Sequence, residues 1–173
     1  MFGDQTWWVR RPTQASAFAE RGQPIRYPLR WEQGPDRFVM YASKSCGEEQ
    51  VFYTEHEKTN SVETISFLQQ LVTVYADKRA VIIIWDNASW HKSQMVNNWR
   101  HAHNLHAKRM GGCRIICFRL PTYSPWLNPI EPLFQHVKRW VNALYEWTAF
   151  RQFKKGIRKT MRAKTNLLEC NTI

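Results

Sequence analysis

Five consecutive apolar residues, Val81-Ile82-Ile83-Ile84-Trp85, end abruptly on an acid, Asp86, and this run restricts the fold more than any other part of the chain. It is too short for a typical helix, it is rich in β-branched side chains, and it follows a stretch of helical periodicity. It therefore reads as a central β-strand covered on both faces. In sheets that contain such strands, the groups that do chemistry collect at strand ends and in the crevice beside them. Asp86 is thus a candidate functional residue. The plainer alternative is an Asx-turn, with Asp86 and Asn87 leading the chain out of the sheet.

The surrounding pattern supplies the rest of an α/β domain. Residues 37–43 and 50–54 are short β-branched and aromatic runs separated by Lys44-Ser45-Cys46-Gly47-Glu48-Glu49, which predicts a hairpin. Asn60 can cap a helix, with Glu63 as its capping-box partner. Val62, Ile65, Leu68, Leu71, Val72 and Tyr75 then recur at helical spacing and should cover one face of the sheet. Residues 114–120 form a second buried-strand pattern. The polar stretch between the two strands, from residue 92 to about 108, reads as a helix stopped by Gly111-Gly112. A chain of 173 residues makes one domain of ordinary size.

Charge narrows the function. The formal net charge is +11, and only five acids (Asp77, Asp86, Glu131, Glu146, Glu169) follow Glu63. Between Asp86 and Glu131 there is no acid at all, only Lys92, Arg100, Lys108, Arg109, Arg114, Arg119 and the histidines His91, His101, His103 and His106. Two carboxylates at the edges of a positive segment suit an enzyme acting on nucleic acid: their oxygens hold hard cations and the bases attract phosphates. Nothing resembles a signal peptide or an uninterrupted membrane span, so no membrane partner is expected and the chain reads as cytoplasmic. Cys46, Cys113, Cys117 and Cys170 are too scattered for a zinc knuckle. Four residues of strand would hold Cys113 and Cys117 roughly 13 Å apart, so they read as reduced thiols. His101, His103 and His106 lack a neighbouring Cys or Asp and read as a polar helix face rather than as zinc ligands.

Glu131 also has two readings. Asn128 suits an N-cap, Pro129 the first helical position and Glu131 the third, where a capping-box glutamate belongs. The same placement fixes a catalytic carboxylate in a first helical turn, favoured by the helix dipole, after an approach stiffened by Pro121, Pro125 and Pro129. Downstream, Phe150, Phe153, Ile157 and Met161 recur every three or four residues among seven Lys/Arg and no acids between residues 148 and 164. That is an amphipathic helix. Its basic face, Arg151, Lys154, Lys155, Arg158, Lys159 and Arg162, is either solvated or laid on DNA phosphates, and the charge imbalance favours DNA. Trp126 is placed to stack on a base.

Two segments taken together carry a resemblance. Trp85-Asp86-Asn87-Ala88-Ser89-Trp90-His91-Lys92-Ser93 and Leu120-Pro121-Thr122-Tyr123-Ser124-Pro125-Trp126-Leu127-Asn128-Pro129-Ile130-Glu131 resemble the "DNAxxH" and "LPxYSPxLNPIE" motifs of DDE transposases, in the bacterial insertion-sequence branch of the mariner superfamily. The resemblance implies an RNase H-like fold, a mixed sheet flanked by helices, with Asp86 and Glu131 as the second and third acids of the catalytic set. The first acid falls on Asp4, in Phe2-Gly3-Asp4-Gln5-Thr6, where relatives show "DE" and this chain has Gln5 in place of the glutamate. Trp7, Arg10-Arg11 and Arg21-Gly22 resemble the "W…RG" region that follows.

The implied chemistry is DNA strand cleavage and strand transfer by two-metal phosphoryl transfer, with Asp4, Asp86 and Glu131 holding two Mg²⁺ (or Mn²⁺) ions. His91 and Lys92 would lie by the scissile strand or behind the ligands, and Tyr123, Ser124 and Asn128 would shape the loop. Transposon ends and target DNA are the implied partners, with a homodimer the oligomer to test and the bacterial nucleoid the implied location. Residues 1–147 would be the catalytic domain and residues 148–173 a basic helical extension. Two departures bear on activity. The interval between Asp86 and Glu131 is longer than in many relatives, which predicts an extended helix or loop near residues 101–112. The helix-turn-helix region that normally precedes the domain is absent, so recognition would need an upstream segment or a separate partner chain. The first strand, beginning so near the terminus, is expected to be loosely held and the chain weakly active alone. The rival reading is a truncated, non-catalytic DNA-binding remnant. A hydrolase built from Ser89, His91 and Asp86 fails because three residues in one turn cannot form the relay.

Overall fold

The computed structural model describes residues 1–10, 21, 36–47, 50–122, 124–144, 147 and 149–168. Arg11, Gly22, Tyr123 and Cys170, with residues 148 and 169–173 of the C-terminal extension, lie outside them. Strands β1 (Phe2–Val9), β2 (Arg37–Lys44) and β3 (Gln50–His56) form an antiparallel meander. Strands β4 (Ala80–Trp85) and β5 (Arg114–Arg119) extend it in parallel on the β1 side, and the short β6 (Asn166–Leu168) joins beyond β3. The order is β5-β4-β1-β2-β3-β6. The first strand is therefore central: it pairs with β2 from Phe2↔Lys44 to Val9↔Arg37, and Ile84 N–H donates to the Met1 carbonyl at 2.9 Å on its other side. Its place between two partners overrides the fraying expected of a strand near a terminus.

Two cores sandwich the meander. Helices α1 (Ser61–Val74) and α2 (Gln94–Met110) close one face, where Phe67, Leu68, Leu71 and Val96 pack on Val39, Tyr41, Phe52, Val81, Ile83 and Trp85. Helices α3 (Ile130–Leu144) and α4 (Phe150–Lys164) close the other, where Phe134, Val137, Phe153, Ile157 and Met161 meet Trp8, Phe38, Met40 and Val51. Each such fully buried side chain contributes about 1.5–3 kcal/mol through removal from water. The predicted basic helix after residue 148 thus shares a core with β1, β2 and β3.

Three local expectations are corrected. β4 is covered on one face only: Val81, Ile83 and Trp85 are buried, but Ile82 is 46% exposed, as are its neighbours on β5, Ile116 (39%) and Phe118 (55%). The cause is that α3 packs across β1 and β2, leaving the outer face of β4 and β5 open among the described residues. On α1 the buried stripe is Thr64, Phe67, Leu68 and Leu71, while Val62 is turned to solvent. Asn60 does cap α1, accepting from Glu63 N–H at 2.9 Å, but the Glu63 carboxylate bonds His56 on β3 rather than closing the capping box.

The long interval after Asp86 is taken up by α2, a 17-residue helix. It ends at Gly111, whose φ of +73° is a backbone state that other residues seldom adopt. Its polarity is explained by where it lies. Asn104 reaches the outer edge of β5, donating to the Ile115 carbonyl and accepting from the Ile115 N–H, both at 2.7 Å, and His103 Nε2 bonds the Cys113 carbonyl at 2.9 Å.

Candidate active site

Strand register brings the first two acids together. Phe2 pairs with Ile84 in parallel, so the same register carried two residues on brings Asp4, inside β1, level with Asp86, just past the end of β4. Close approach here depends on Gly3, where an added Cβ would lie 2.7 Å from the Ile83 side chain. Past Asp86, the chain returns through β5 and is tied back: Leu120 N–H donates to the Trp85 carbonyl at 2.8 Å and Asn87 Nδ2 to the Leu120 carbonyl at 2.7 Å. The proline-stiffened segment that follows, including a 3-10 turn at Pro125–Leu127, delivers Glu131 in the first turn of α3.

Asn128 does a different job from the one its position predicts. Its side-chain amide donates to the Gly3 carbonyl at 3.4 Å, and its Oδ1 is buried without a partner, so it does not cap α3. The start of the Glu131 helix is instead bonded to the strand that carries Asp4. Glu131 N–H donates to the Asn128 backbone carbonyl at 3.1 Å.

The three carboxylates feel one another. Burial, followed by the charges of Asp86 and Glu131, pushes Asp4 up to about 7, against the Gln5 N–H that donates to its Oδ1 at 2.8 Å and the positive charge of Lys138. Burial and the charge of Asp86 also raise Glu131. Asp86 goes the other way: burial opposes its charge, but His91 Nδ1 at 2.8 Å, Ala88 N–H at 3.0 Å and the nearby Lys92 outweigh it and hold the carboxyl below its ordinary value. Lys138 was not singled out from the sequence. Two helical turns beyond Glu131, it shares that residue's side of α3; burial lowers its pKa and Asp4 opposes the shift. The signal that could have found it is a lysine seven residues past a helix-start acid.

The residues expected on DNA separate into groups. His91 is 3% exposed, stacked flat on Trp85 with ring centroids 4.2 Å apart, and bonded to Asp86, whereas Lys92 is exposed. On α4, Lys154 and Arg158 each reach Glu55 of β3 at 2.8 Å, and Arg151, Lys155, Lys159 and Arg162 are exposed. Burial works against the Glu55 charge, but those two bonds outweigh it and hold Glu55 below the usual value. Trp126 is 76% exposed on the 3-10 turn. Among the described residues no three His, Cys, Asp or Glu side chains are grouped to hold a metal ion, the α2 histidines included. None of the described helices is long and apolar enough to cross a membrane.

An antiparallel three-strand meander continued by two parallel strands and flanked by helices is an RNase H-like arrangement, and here acids stand in the first strand, just after the fourth and at the start of the helix that follows the fifth. The sequence pattern of one family, described as DDE superfamily endonuclease, matches residues 1–154, and the chain belongs to that family. An insertion element IS630 uncharacterized 39 kDa protein of Shigella sonnei is 25% identical over 126 residues, covering 73% of this chain and 34% of that protein. The chain thus spans about a third of the length of that relative. Among solved structures, the simian T-cell lymphotropic virus intasome in complex with PP2A regulatory subunit B56 gamma superposes with a TM-score of 0.54 at 11% identity, over 97% of this chain and 49% of that one. The HTLV-2 integrase catalytic core domain in complex with magnesium, in its trimeric form, gives 0.53 at 15% identity, over 92% and 80%. At these identities the likeness is one of fold, and it agrees with the RNase H-like expectation.

Proposed function

We propose that this chain is the catalytic domain of an insertion-sequence transposase that cuts DNA and transfers the cut strand, with Asp4, Asp86 and Glu131 as its catalytic acids. The observation that carries the reading is that β1, the end of β4 and the first turn of α3 bring three carboxylates within reach of one another's charge: Asp4, pushed to about 7 first by burial, is raised further by Asp86 and Glu131, and Glu131 by Asp86. Like charges gathered in a half-buried place are costly unless cations join them. The donors are hard oxygens and fit Mg²⁺ or Mn²⁺. Two ions shared among the three acids are what the DDE resemblance implies. Bound there, two such ions would supply activation of a water or 3′-hydroxyl and charge stabilisation at the leaving oxygen.

The chain's own side chains do the positioning. His91 fixes Asp86 from behind, Lys138 favours the ionised form of Asp4, and Asn128 ties the Glu131 helix to β1. Lys92 and the exposed bases of α4 (Arg151, Lys155, Lys159, Arg162) would hold the phosphates of transposon ends and target, assisted at the cluster's edge by Lys154 and Arg158. A second copy, and a helix-turn-helix from an upstream segment or another chain, would complete the assembly on DNA in the bacterial cytoplasm.

Nicking of supercoiled plasmid tests this. The chain nicks with Mg²⁺ or Mn²⁺ and stops with chelator, and Asp86→Asn or Glu131→Gln reduces nicking to background. Metal-independent binding with no nicking under any divalent ion would instead establish the DNA-binding remnant. The basic helix has its own readout: Lys155→Gln with Lys159→Gln lowers the slope of log affinity against log salt by roughly 2, at about 0.9 per phosphate contact. Lys154→Gln changes it less, because that ammonium is already paired with Glu55.

A further inference from the structure

Behind the Asp86 turn, between the ends of β4 and β5 and the first turns of α2, lies a cavity of about 300 Å³ lined in part by Trp85, His91, Asn97, Arg100, Cys117 and Arg119. No carboxylate among the described residues lines it. Arg100 is held in place by Asn97, whose Oδ1 accepts from Nη2 at 3.2 Å and whose Nδ2 donates to the Lys92 carbonyl at 3.1 Å. The guanidinium is thereby fixed to the same turn that carries Asp86. At the wall, the His91 side chain is 1% exposed, and its Nε2 is buried with no partner. A polar atom left so is costly to bury. Nδ1 is taken up by Asp86, so Nε2 is the ring atom left over, and none of the described residues bonds it.

We propose that this cavity seats one backbone phosphate of the DNA strand cut at the carboxylates, with Arg100 and Arg119 on its non-bridging oxygens and a water held by that phosphate bonded to His91 Nε2. Two forked guanidiniums facing a site without acid are suited to a phosphodiester, and a water-bridged contact satisfies the ring nitrogen. The inference rests on the proposed transposase reading and adds a position to it. α2 and α4 pack on opposite faces of the sheet, so this seat and the α4 bases would grip different stretches of DNA. The cavity would set the register of the cut strand, whereas α4 would add affinity.

The test uses the full chain, with Arg100→Gln, Arg119→Gln and the double variant, and Arg100→Lys and Arg119→Lys to keep charge while removing the fork. Unfolding curves confirm that each is folded. By fluorescence anisotropy, the double Gln variant binds duplex DNA roughly tenfold more weakly at low salt, with a salt slope reduced by about 1, the share of one phosphate. The Lys variants fall between. In Mn²⁺-dependent cleavage, single methylphosphonate substitutions walked along the strand slow the wild type several-fold at one position near the cut, and that sensitivity disappears in the double Gln variant. Wild-type affinity and slope in the Gln variants, or a methylphosphonate effect that persists in them, overturns the inference alone. Stabilisation of the protein by millimolar inorganic phosphate that requires both arginines, without any change in DNA binding or cleavage, assigns the cavity to a free phosphate and also overturns it. A wild type that neither binds nor cuts DNA overturns this inference and the transposase reading together.

Discussion

Asp4, inside β1, and Asp86, just past the end of the parallel neighbour β4, stand near one another, yet their surroundings drive them in opposite directions. Asp86 lies just past the end of β4, where the chain has left the ladder and can turn its own donors onto the carboxylate: Ala88 N–H and His91 Nδ1 both reach Oδ1. Asp4 lies inside β1, whose backbone is committed to β2 along its whole length; it receives one N–H, from Gln5, and burial with two like charges prevails, taking it to about 7. The same residue type is thus held charged at a strand end and kept near half-protonated inside a strand. On the proposed reading, such a pair would offer one carboxylate ready at neutral pH and a second that an arriving cation would ionise.

The largest break in that contrast should come from Asp4→Asn. Folded Asp4 keeps its proton to about pH 7, while the unfolded chain releases it near pH 4. Between those values the folded state binds more protons than the unfolded, so stability falls as pH rises from about 4 to 7. In metal-free buffer at pH 8, Asp4→Asn is therefore more stable than the wild type, by at most about 4 kcal/mol for three units at 1.36 kcal/mol each, and the gain fades towards pH 4. Chemical denaturation at the two pH values measures this. Nicking is lost in the same variant, and Mg²⁺ raises the melting temperature of the wild type alone. A variant no more stable at pH 8 than the wild type would remove the contrast.

His91→Ala attacks the other side. Asp86 loses its strongest stabilising bond, so its carboxyl titrates at higher pH, and nicking or the affinity for the activating metal falls by about 10–100-fold, as for other residues that orient a metal-holding carboxylate. His91→Asn, which keeps a donor, recovers part of the loss. The smallest effect is expected from Lys138→Met. Removing a positive charge that favours ionised Asp4 shifts the acidic limb of the pH–rate profile to higher pH, with kcat at the plateau little changed by that shift alone; an acidic-limb shift to lower pH would contradict the assignment.

The sequence made β4, the hairpin, the Asn60 cap and the buried stripe of α4 legible because each is written in one short window: a β-branched run, a turn cluster, a capping residue, a helical repeat. Long-range effects were not written that way. Nothing near Phe2 says that its strand will lie between two others, since centrality depends on partners as far away as Lys44 and Ile84. The open outer face of β4 depends on where α3 comes to rest, and Ile82 looks in sequence like Ile83. At the site, motif similarity supplied the acids, but Asn128 reads as a cap until its side chain is seen on Gly3. Lys138 and the Arg100–Arg119 pair stand out only once a helix face or a cavity gathers them.

Asn104 presents to Ile115 the same donor-and-acceptor face that another strand would present. At that point the border strand is already occupied by a side chain shaped like a peptide unit. A stray extended chain arriving along β5 finds the ladder interrupted, which protects an exposed border from unwanted growth in the way that inserted charges or prolines do elsewhere. Unlike those devices, it costs the sheet no hydrogen bond and adds no charge beside the arginines of β5.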